Sequence, residues 1–217
     1  MPAVRGPKKR STETRSRVVA AAHELFVERG YTGTTFQEVA DAAGVSVQTV
    51  YFHYGSKSRL LKQVVDVASV GDDAPVPLLD RPWFAALREA RDPVEVVRGW
   101  TRESGVILER VAPVLAVVRD AAPADPDMAA QWAANSEQRH TAHGEFVAIL
   151  ARLRALRPGL TRRRATDAAA GLLSPDLFLV MTRECGWSTA QWRAWTADQL
   201  AHALLPPPSA ADPSHET

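Results

Sequence analysis

The sequence predicts an all-α protein. Apolar residues recur at helical spacing through most of the 217 residues, and serine, threonine or proline precedes many of these segments while glycine follows them. No stretch combines alternating apolar and polar residues with the hairpin turns of an antiparallel sheet. These observations indicate a series of helices joined by short turns.

The composition is that of a globular protein and excludes two other classes. Hydrophobic residues make up 46% and charged residues 24% of the chain, the usual balance for a soluble domain. No apolar run approaches the ~20 residues needed to cross a bilayer, and no signal-peptide pattern is present. The single cysteine, Cys185, excludes an intramolecular disulfide framework. We therefore expect a cytoplasmic protein without membrane contact, in which Cys185 is a buried structural thiol.

Positive charge is concentrated near the N-terminus, although the net charge of the chain is only +1. Residues 1–17 carry a balance of +5, so the remaining residues together carry −4. The basic residues of this segment are Arg5, Lys8, Lys9, Arg10, Arg15 and Arg17. We expect residues 1–10 to form a flexible arm whose Lys8, Lys9 and Arg10 bind nucleic-acid phosphates. The alternative is a disordered tail that only increases solubility.

Residues 11–56 are predicted to form three helices. The first begins at Ser11 or Thr12 and ends at Gly30. Cap residues bound the next two helices and the start of a fourth: Thr35 with Glu38 as a capping box, then Gly44, Ser46, Gly55 and Ser56. Two short helices joined by a turn that contains glycine are a helix-turn-helix arrangement.

The second helix of this pair, residues 47–53, has the side chains of a DNA-reading helix. They are short or flat polar groups that can reach phosphates and base edges, namely Ser46, Gln48, Thr49, Tyr51 and His53. Val50 and Tyr54, four residues apart, are expected to face inward. In a helix-turn-helix protein the second helix enters the major groove. The alternative is a helix corner with a purely structural role, which occurs in many all-α proteins.

Residues 57–205 are predicted to continue as helices. We call the three helices of residues 11–56 the head. The head is expected to pack on the fourth helix, residues 57–70, because the core of the head is small. The later helices cover residues 83–90, 93–111, a segment from Pro113 to a turn at residues 123–126, and residues 127–156, 161–173, 175–185 and 189–205. Residues 206–217 are expected to be a disordered tail.

The last helix is apolar on more than one side. Its small residues fall on one face, and a leucine flanks them; these are the candidate dimerisation residues Ala190, Ala194, Ala197, Ala201 and Leu204. An alanine face lets a partner helix approach closely, so the pattern favours a homodimer, which a reader of palindromic DNA also needs. The alternative is a central core helix in a monomer.

Two adjacent segments form a specific signature. They are AAHELFVERGY, at the end of the first helix, and TTFQEVADAAGVSVQTVYFHYGSKSRLL, which contains the aromatic run of residues 51–54. With these segments, residues 11–61 resemble the N-terminal domain of the TetR/AcrR family of bacterial transcriptional regulators. The stretch LLSPDLF…GWSTAQWRAW resembles C-terminal helices of some actinobacterial members.

The resemblance implies a role on DNA for individual residues. Phosphate contacts would fall on Thr35, Tyr51, His53 and Lys57. Groove-facing positions would be Ser46, Val47, Gln48 and Thr49. Among them Gln48 is the best candidate for reading adenine or guanine edges, whereas Val47 can contact only an apolar surface such as a thymine methyl. Many members have tyrosine where this chain has Phe52, which cannot donate a hydrogen bond to a phosphate.

The resemblance also implies that residues 57–205 hold a small effector and the dimer interface, with no cofactor. Candidate pocket residues are the apolar side chains Phe84, Trp100, Trp132, Phe146 and Met181. The alternative for each is an ordinary core position. His140 and His143 lie three residues apart but are expected to sit on an exposed polar face rather than to bind a metal. No nucleophile–base context or phosphate-binding glycine loop is recognisable, so we do not expect an enzyme.

Together with the sequence patterns, the resemblance implies a homodimeric, effector-released transcriptional regulator, most simply a repressor, that binds a palindromic operator. Its predicted domains are the arm (1–10), the helix-turn-helix domain (11–56), the effector-binding and dimerisation domain (57–205) and the tail (206–217). The alternative is an α-helical binding or enzymatic module that uses the helix-turn-helix only as a structural corner.

Overall fold

The computed structural model describes residues 7–71 and 76–207, with the backbone alone for residues 7–11. Every regular element within this part of the chain is helical. The helices are α1 (Pro7–Arg29), α2 (Phe36–Ala43), α3 (Val47–Tyr54), α4 (Lys57–Val70), α5 (Pro82–Glu89), α6 (Pro93–Ala121), α7 (Pro126–Arg152), α8 (Arg162–Leu172), α9 (Pro175–Leu179) and α10 (Thr189–Leu204). A 3-10 turn (Leu78–Asp80) precedes α5, and a π-helical turn (Val180–Glu184) follows α9. The all-α prediction is confirmed.

The chain divides into two compact units. Unit 1 comprises residues 1–75 and 106–137, and unit 2 comprises residues 76–105 and 138–217. Helices α6 and α7 therefore contribute residues to both units. Among the helices in the described ranges, none is long and apolar enough to pass through a bilayer.

The predicted caps of α2, α3 and α4 are confirmed, because local hydrogen bonds decide where these short helices begin. Thr35 and Glu38 form a reciprocal capping box, and Ser46 and Ser56 each accept a backbone N–H three residues ahead. Gly44 ends α2 with φ +64°, and Gly55 ends α3 with φ +70°. A residue with a Cβ rarely adopts these angles, which is why glycine stands at both turns.

The core of the head is completed by α4, as the small number of apolar residues in α1–α3 predicts. The buried side chains of α1 include Val18, Ala22 and Phe26, and those of α2 and α3 include Val39 and Val50. Helix α4 adds Leu60, Leu61, Val64 and Val65, each at most 1% exposed. Each such side chain contributes about 1.5–3 kcal/mol when fully buried, so α4 is an integral part of the head.

Helix α6 holds the C-terminal end of α4 within unit 1. Arg110 donates from Nε to the carbonyl oxygen of Ala68 at 3.1 Å. A positive charge at this position also interacts favourably with the negative end of the helix dipole. Gly71 follows with φ +83°, and a Cβ there would lie 2.9 Å from Cζ of Arg110. Glycine at residue 71 therefore permits the close approach of the guanidinium group.

Two predicted helix boundaries in this part of the chain are wrong. Helix α1 begins at Pro7 rather than at Ser11 or Thr12, since proline suits the first helical position and the residues after it are tolerated in a helix. Helix α6 continues through Pro113, where a break was predicted. An interior proline costs ~3 kcal/mol. The burial of Val114, Leu115 and Val118 on its C-terminal side offsets that cost.

Unit 2 corrects two further predictions. Cys185 is exposed rather than buried, because it lies in the turn after the π-helical segment, directly before Gly186 with φ +70°. Leu204 was assigned to the dimer face but is fully buried with Trp192, Thr196 and Leu200. These four residues lie four apart and form the inward face of α10. Leu204 is therefore a core residue of its own subunit.

Candidate functional site

Helix α3 presents a polar, solvent-exposed face that its caps hold in place. The hydroxyl groups of Ser46 and Thr49 lie 2.9 Å apart, and Ser46 Oγ accepts the backbone N–H of Thr49 at 3.3 Å. Gln48 is exposed and makes no hydrogen bond within the described residues. Ser46 and Thr49 thus fix the first turn, and Gln48 leaves a complete amide free to bind a base edge.

Two large aromatic side chains lie on the outer surface of α3. Tyr51 is 57% exposed and Phe52 is 85% exposed. The ring of Tyr51 rests with its edge on Phe36, with the centroids 4.7 Å apart. Two exposed aromatic residues next to each other form an apolar patch, and such patches can mark an interaction surface.

The opposite side of α3 anchors the helix to the head. Val50 and Tyr54 are buried, as predicted. The hydroxyl group of Tyr54 donates to the carbonyl oxygen of Arg15 at 3.4 Å. Arg15 in turn donates from Nε to Nδ1 of His53 at 3.5 Å. Helix α1 and helix α3 are therefore joined by hydrogen bonds as well as by the apolar core.

Three arginines near α3 were not among the predicted site residues. Arg15 contacts His53. Arg17 Nη1 lies 3.9 Å from the position of a Cβ on Gly44, and Arg59 Nη1 lies 3.8 Å from that position on Gly55. The guanidinium groups therefore lie at the two glycine turns that flank α3, where phosphates alongside an inserted helix would be contacted. The charge count of residues 1–17 signalled the first two, but helical spacing alone did not place them beside α3.

Thr35 stands at the start of α2 with its hydroxyl already engaged. The hydroxyl donates to Oε2 of Glu38 at 2.7 Å, and the backbone N–H of Thr35 donates to the same oxygen at 2.9 Å. These hydrogen bonds lower the pKa of Glu38, and the nearby Arg29 guanidinium acts in the same direction. The phosphate contact predicted for Thr35 remains a prediction.

Lys57, at the first position of α4, is partly buried rather than freely exposed. Its Nζ donates to the carbonyl oxygen of Thr34 at 3.0 Å and lies 4.6 Å from the ring centroid of Tyr31. Burial lowers the pKa of Lys57, while the negative charge of Asp125 opposes that change. An ammonium group has three donors, so one contact with Thr34 leaves others that can bind a phosphate.

The same cluster links the head to the start of α7 inside unit 1. Burial, followed by a hydrogen bond with Asp125, raises the pKa of Tyr31 to about 12. Ser58 Oγ donates to Oδ2 of Asp127 at 2.9 Å. Asp125 also accepts two backbone N–H groups of the first turn of α7. Helices α4 and α7 are thus joined next to Lys57.

A second candidate site is an aromatic cluster in unit 2 centred on Trp100. Its members are Trp83, Phe84, Trp100, His143 and Phe146. The Trp100 ring is stacked on Phe146 with the centroids 5.2 Å apart, and its centroid lies 5.8 Å from those of Trp83, Phe84 and His143. Three predicted pocket residues therefore meet here, brought together by α5, α6 and α7.

The other predicted pocket residues, Trp132 and Met181, lie elsewhere. Trp132 belongs to unit 1, and Met181 lies on the π-helical turn of unit 2, where it is half-buried. His143 is part of the cluster and only 7% exposed, although the sequence placed it on an exposed polar face. Its helix neighbour His140 is exposed and lies 3.0 Å from Oδ1 of Asp167.

Burial keeps the imidazole of His143 uncharged. Desolvation, and then the positive charges of Arg139 and His140, lower the pKa of His143 to about 4. Nδ1 of His143 and Nε1 of Trp100 are both buried and have no hydrogen-bond partner in the described part of the chain. Two buried polar atoms within one aromatic cluster are unusual, since most such atoms are paired.

The four alanines of α10 form the remaining predicted surface. Ala190 and Ala194 are exposed, and Ala197 and Ala201 are half-buried. They lie on a different side of α10 from its buried face. The side chains of Lys8, Lys9 and Arg10, together with residues 1–6 of the arm and residues 208–217 of the tail, lie outside the described residues.

Comparison with known families identifies the N-terminal region. Residues 18–64 match the family model of bacterial regulatory proteins of the tetR family. This range begins within α1 and includes α2, α3 and most of α4. It therefore contains all the caps and buried anchors that position the exposed face of α3.

Curated relatives match the same region. The transcriptional regulator TtgR of Pseudomonas putida is 35% identical over 63 residues, which are 29% of this chain and 30% of TtgR. The transcriptional activator FasR of Mycolicibacterium smegmatis is 41% identical over 61 residues, which are 28% of each chain. The chain thus aligns with about a third of the length of these relatives.

Solved structures match nearly the whole fold at low identity. NalD, the secondary repressor of the MexAB-OprM multidrug efflux pump in Pseudomonas aeruginosa, superposes with a TM-score of 0.65 at 20% identity, over 91% of this chain and 98% of NalD. TylP, a TetR regulator from Streptomyces fradiae, gives 0.66 at 21% identity over 91% and 89%. The likeness beyond the N-terminal region is one of fold. Residues 18–64 are thus similar in sequence to the tetR family of bacterial regulatory proteins, and the described chain shares the fold of these solved structures.

Proposed function

We propose that this protein is a transcriptional repressor that binds a palindromic operator as a homodimer and is released by a small apolar or amphipathic effector. The exposed face of α3 carries the proposal. Gln48 is free to read a base, and Tyr51 and Phe52 are exposed without a partner domain to cover them in the described residues. A helix used only as a structural corner has no need of such a surface.

The charges around α3 support DNA as the partner. Arg15, Arg17 and Arg59 surround the helix, and Lys57 lies at the start of α4. Cations beside a groove-reading helix bind phosphates and fix its orientation. Lys8, Lys9 and Arg10 are proposed to extend this contact into the adjacent minor groove.

The alanine face of α10 supports a homodimer. Ala190 and Ala194 are exposed, and small side chains allow two helices to pack closely. A two-fold dimer presents two copies of α3 with the symmetry of a palindrome. The effector is proposed to bind in the α-helical region after the head, where the aromatic cluster around Trp100 offers apolar surface.

Selection of binding sites from random DNA tests the DNA-binding part. We expect the selected sites to be palindromes, with one dimer bound per palindrome in a gel shift and much weaker binding to a single half-site. Affinity should fall steeply with salt, because bound phosphates release counterions. Equal affinity for the selected and for random DNA would contradict the proposal and favour the structural-corner alternative.

The dimer is tested separately by sedimentation. Ala194→Arg places a charge on the alanine face of α10 and should convert a dimer to a monomer. Ala86→Arg, on an exposed position of α5, is the matched control and should leave the dimer intact. A wild-type protein that sediments as a monomer at the concentrations where it binds the palindrome would exclude the dimer.

A further inference from the structure

The aromatic cluster contains two polar atoms that the protein itself leaves unpaired. Nε1 of Trp100 is a donor, and Nδ1 of His143 can donate or accept according to the tautomer. Both atoms are buried, within side chains that are 2% and 7% exposed, and neither has a hydrogen-bond partner within the described ranges. A buried unpaired polar group destabilises a fold, so each of these two atoms favours a bound group or an ordered water that pairs with it.

The two rings are in edge-to-face contact, so one polar group placed beside them can reach both. The centroids of Trp100 and His143 lie 5.8 Å apart, with the ring planes at 79°. A hydrogen bond places its two heavy atoms about 2.9 Å apart, so one oxygen can lie within reach of both rings. A hydroxyl group suits this position, because it accepts from the indole N–H and donates to an unprotonated imidazole nitrogen.

The surroundings favour an aromatic ligand without charge. Phe84, Phe146 and Trp83 enclose Trp100, so a flat ring can stack or pack edge-on against several partners. An anion buried among these rings would lose its hydration. Two cations lie near the cluster, and each has a carboxylate that partly compensates its charge. Arg139 interacts with Asp176, and Arg88, whose Cζ lies 4.6 Å from the centroid of Phe84, lies 3.7 Å from Oε2 of Glu145.

Trp83 is the most exposed ring of the aromatic cluster. Of the five rings in the cluster, the other four are buried and Trp83 is half-buried. It lies at the second position of α5, directly after the proline that begins this helix. Trp83 is therefore the member of the cluster through which a ligand would reach Trp100 from solvent.

We propose that the effector of this protein is an uncharged, planar aromatic molecule bearing a hydroxyl group, and that this group bridges Trp100 and His143 within the aromatic cluster. The proposal rests on the proposed function, since it assigns the site and the chemical class of the effector. In this proposal, stacking on the aromatic rings supplies the apolar contact with the ligand. The hydroxyl group supplies the preference over ligands that lack one.

Equilibrium dialysis of the full-length protein with three probes tests the chemical class. At neutral pH, 2-naphthol carries the hydroxyl, naphthalene lacks it, and 2-naphthoate carries an anion instead. We expect 2-naphthol to bind at least about tenfold more tightly than naphthalene, as two hydrogen bonds to otherwise unpaired groups allow. Binding of 2-naphthoate should be weaker than that of 2-naphthol. Equal binding of 2-naphthol and naphthalene, or tighter binding of 2-naphthoate, would overturn the proposal.

Conservative variants test the site. Trp100→Phe keeps a ring and removes the N–H, and His143→Leu removes the imidazole. Each should weaken 2-naphthol binding about fivefold or more while leaving naphthalene binding within about twofold. Trp187→Phe is the control, because Trp187 pairs with Trp195 away from the cluster. A loss in the control equal to that in Trp100→Phe would refute the assignment. If either variant fails to fold by circular dichroism, the wild-type comparison of probes decides.

Gel shifts with the selected palindrome separate the two proposals. DNA binding without any 2-naphthol binding would overturn the effector site and leave the regulator intact. Selective 2-naphthol binding without palindrome binding would overturn the proposed function alone. When both hold, 2-naphthol should weaken operator binding in the wild type and have less effect on the Trp100→Phe protein.

Discussion

Helix α3 and the aromatic cluster around Trp100 differ in the solvent exposure of their polar and aromatic groups. Phe52 on α3 is 85% exposed and Trp100 is 2% exposed. The side chain of Gln48 is exposed, whereas the indole N–H of Trp100 and the Nδ1 of His143 are buried and have no hydrogen-bond partner among the described residues. An apolar ring is therefore exposed to solvent on α3, whereas polar atoms are shielded from solvent in the aromatic cluster.

This difference in exposure indicates which kind of partner suits each site. A surface that carries exposed rings and cations binds a large, charged partner without rearrangement, as DNA requires. Buried, unpaired polar atoms among aromatic rings suit a small molecule with a few polar groups, which is the effector proposed above. The same class of side chain therefore indicates two binding functions, and burial distinguishes them.

Removing an aromatic ring should affect the free energy of unfolding far more in the aromatic cluster than on α3. Trp100→Ala removes a buried ring and should lower the free energy of unfolding by about 3–5 kcal/mol, through lost burial and the cavity left behind. Phe52→Ala removes an exposed ring and should change it by less than about 0.5 kcal/mol. Urea denaturation followed by circular dichroism measures both. Similar losses in the two variants would mean that Phe52 is packed in the native protein.

The next effect is the pH dependence that a buried neutral histidine produces. The pKa of His143 falls from 6.5 to about 4 on folding, so between these pH values the unfolded chain binds more protons than the folded chain. The free energy of unfolding should therefore decrease as the pH falls through this window, by about 3 kcal/mol in total. Urea titrations across the window should show a smaller decrease for His143→Leu than for the wild type. An unchanged decrease would place His143 in water.

Within the DNA-binding surface, base reading and phosphate binding should respond differently to mutation. Gln48→Ala should relax base preference at one operator position, by about 1–3 kcal/mol. Lys57→Ala should weaken binding to all sequences alike and reduce the salt slope by about one. Gel shifts against single-base operator variants at several salt concentrations measure both effects.

Matched controls are available for these two variants. Gln37, on the exposed side of α2, bonds Asp41, and Lys62, on α4, pairs with Asp66 at 2.7 Å. Gln37→Ala and Lys62→Ala should leave sequence preference and salt slope unchanged. A loss of base preference in Gln37→Ala would show that α3 does not read the sequence alone.

The smallest effect tests the exposed ring itself. Phe52→Tyr adds a hydroxyl where Phe52 cannot bond a phosphate, and should strengthen DNA binding by about 0.5–1.5 kcal/mol. The salt slope should stay the same, because the added group is uncharged. Phe52→Leu is the control without a hydroxyl, and should not gain affinity. A gain in both variants would indicate a change in packing rather than a new hydrogen bond.

The short helices α2 and α3 and the start of α4 could be predicted from the sequence, because their signals are local. A cap, such as Thr35 with Glu38 or Ser46 with Thr49, acts over three residues, and glycine at residue 44 or 55 acts on its own backbone angles. The bounds of α2–α4 and the exposed face of α3 followed from these signals. The all-α class followed in the same way from helical spacing along the chain.

Features that depend on residues far apart in the sequence became visible only in the folded chain. Pro113 stays inside α6 because burial of neighbouring side chains outweighs a local preference, and Leu204 is core because of what packs on α10. Arg15 contacts His53, 38 residues away along the chain. Trp100 and His143 meet only because α6 and α7 pack together. Local spacing carries no information on such contacts, since burial depends on the fold as a whole.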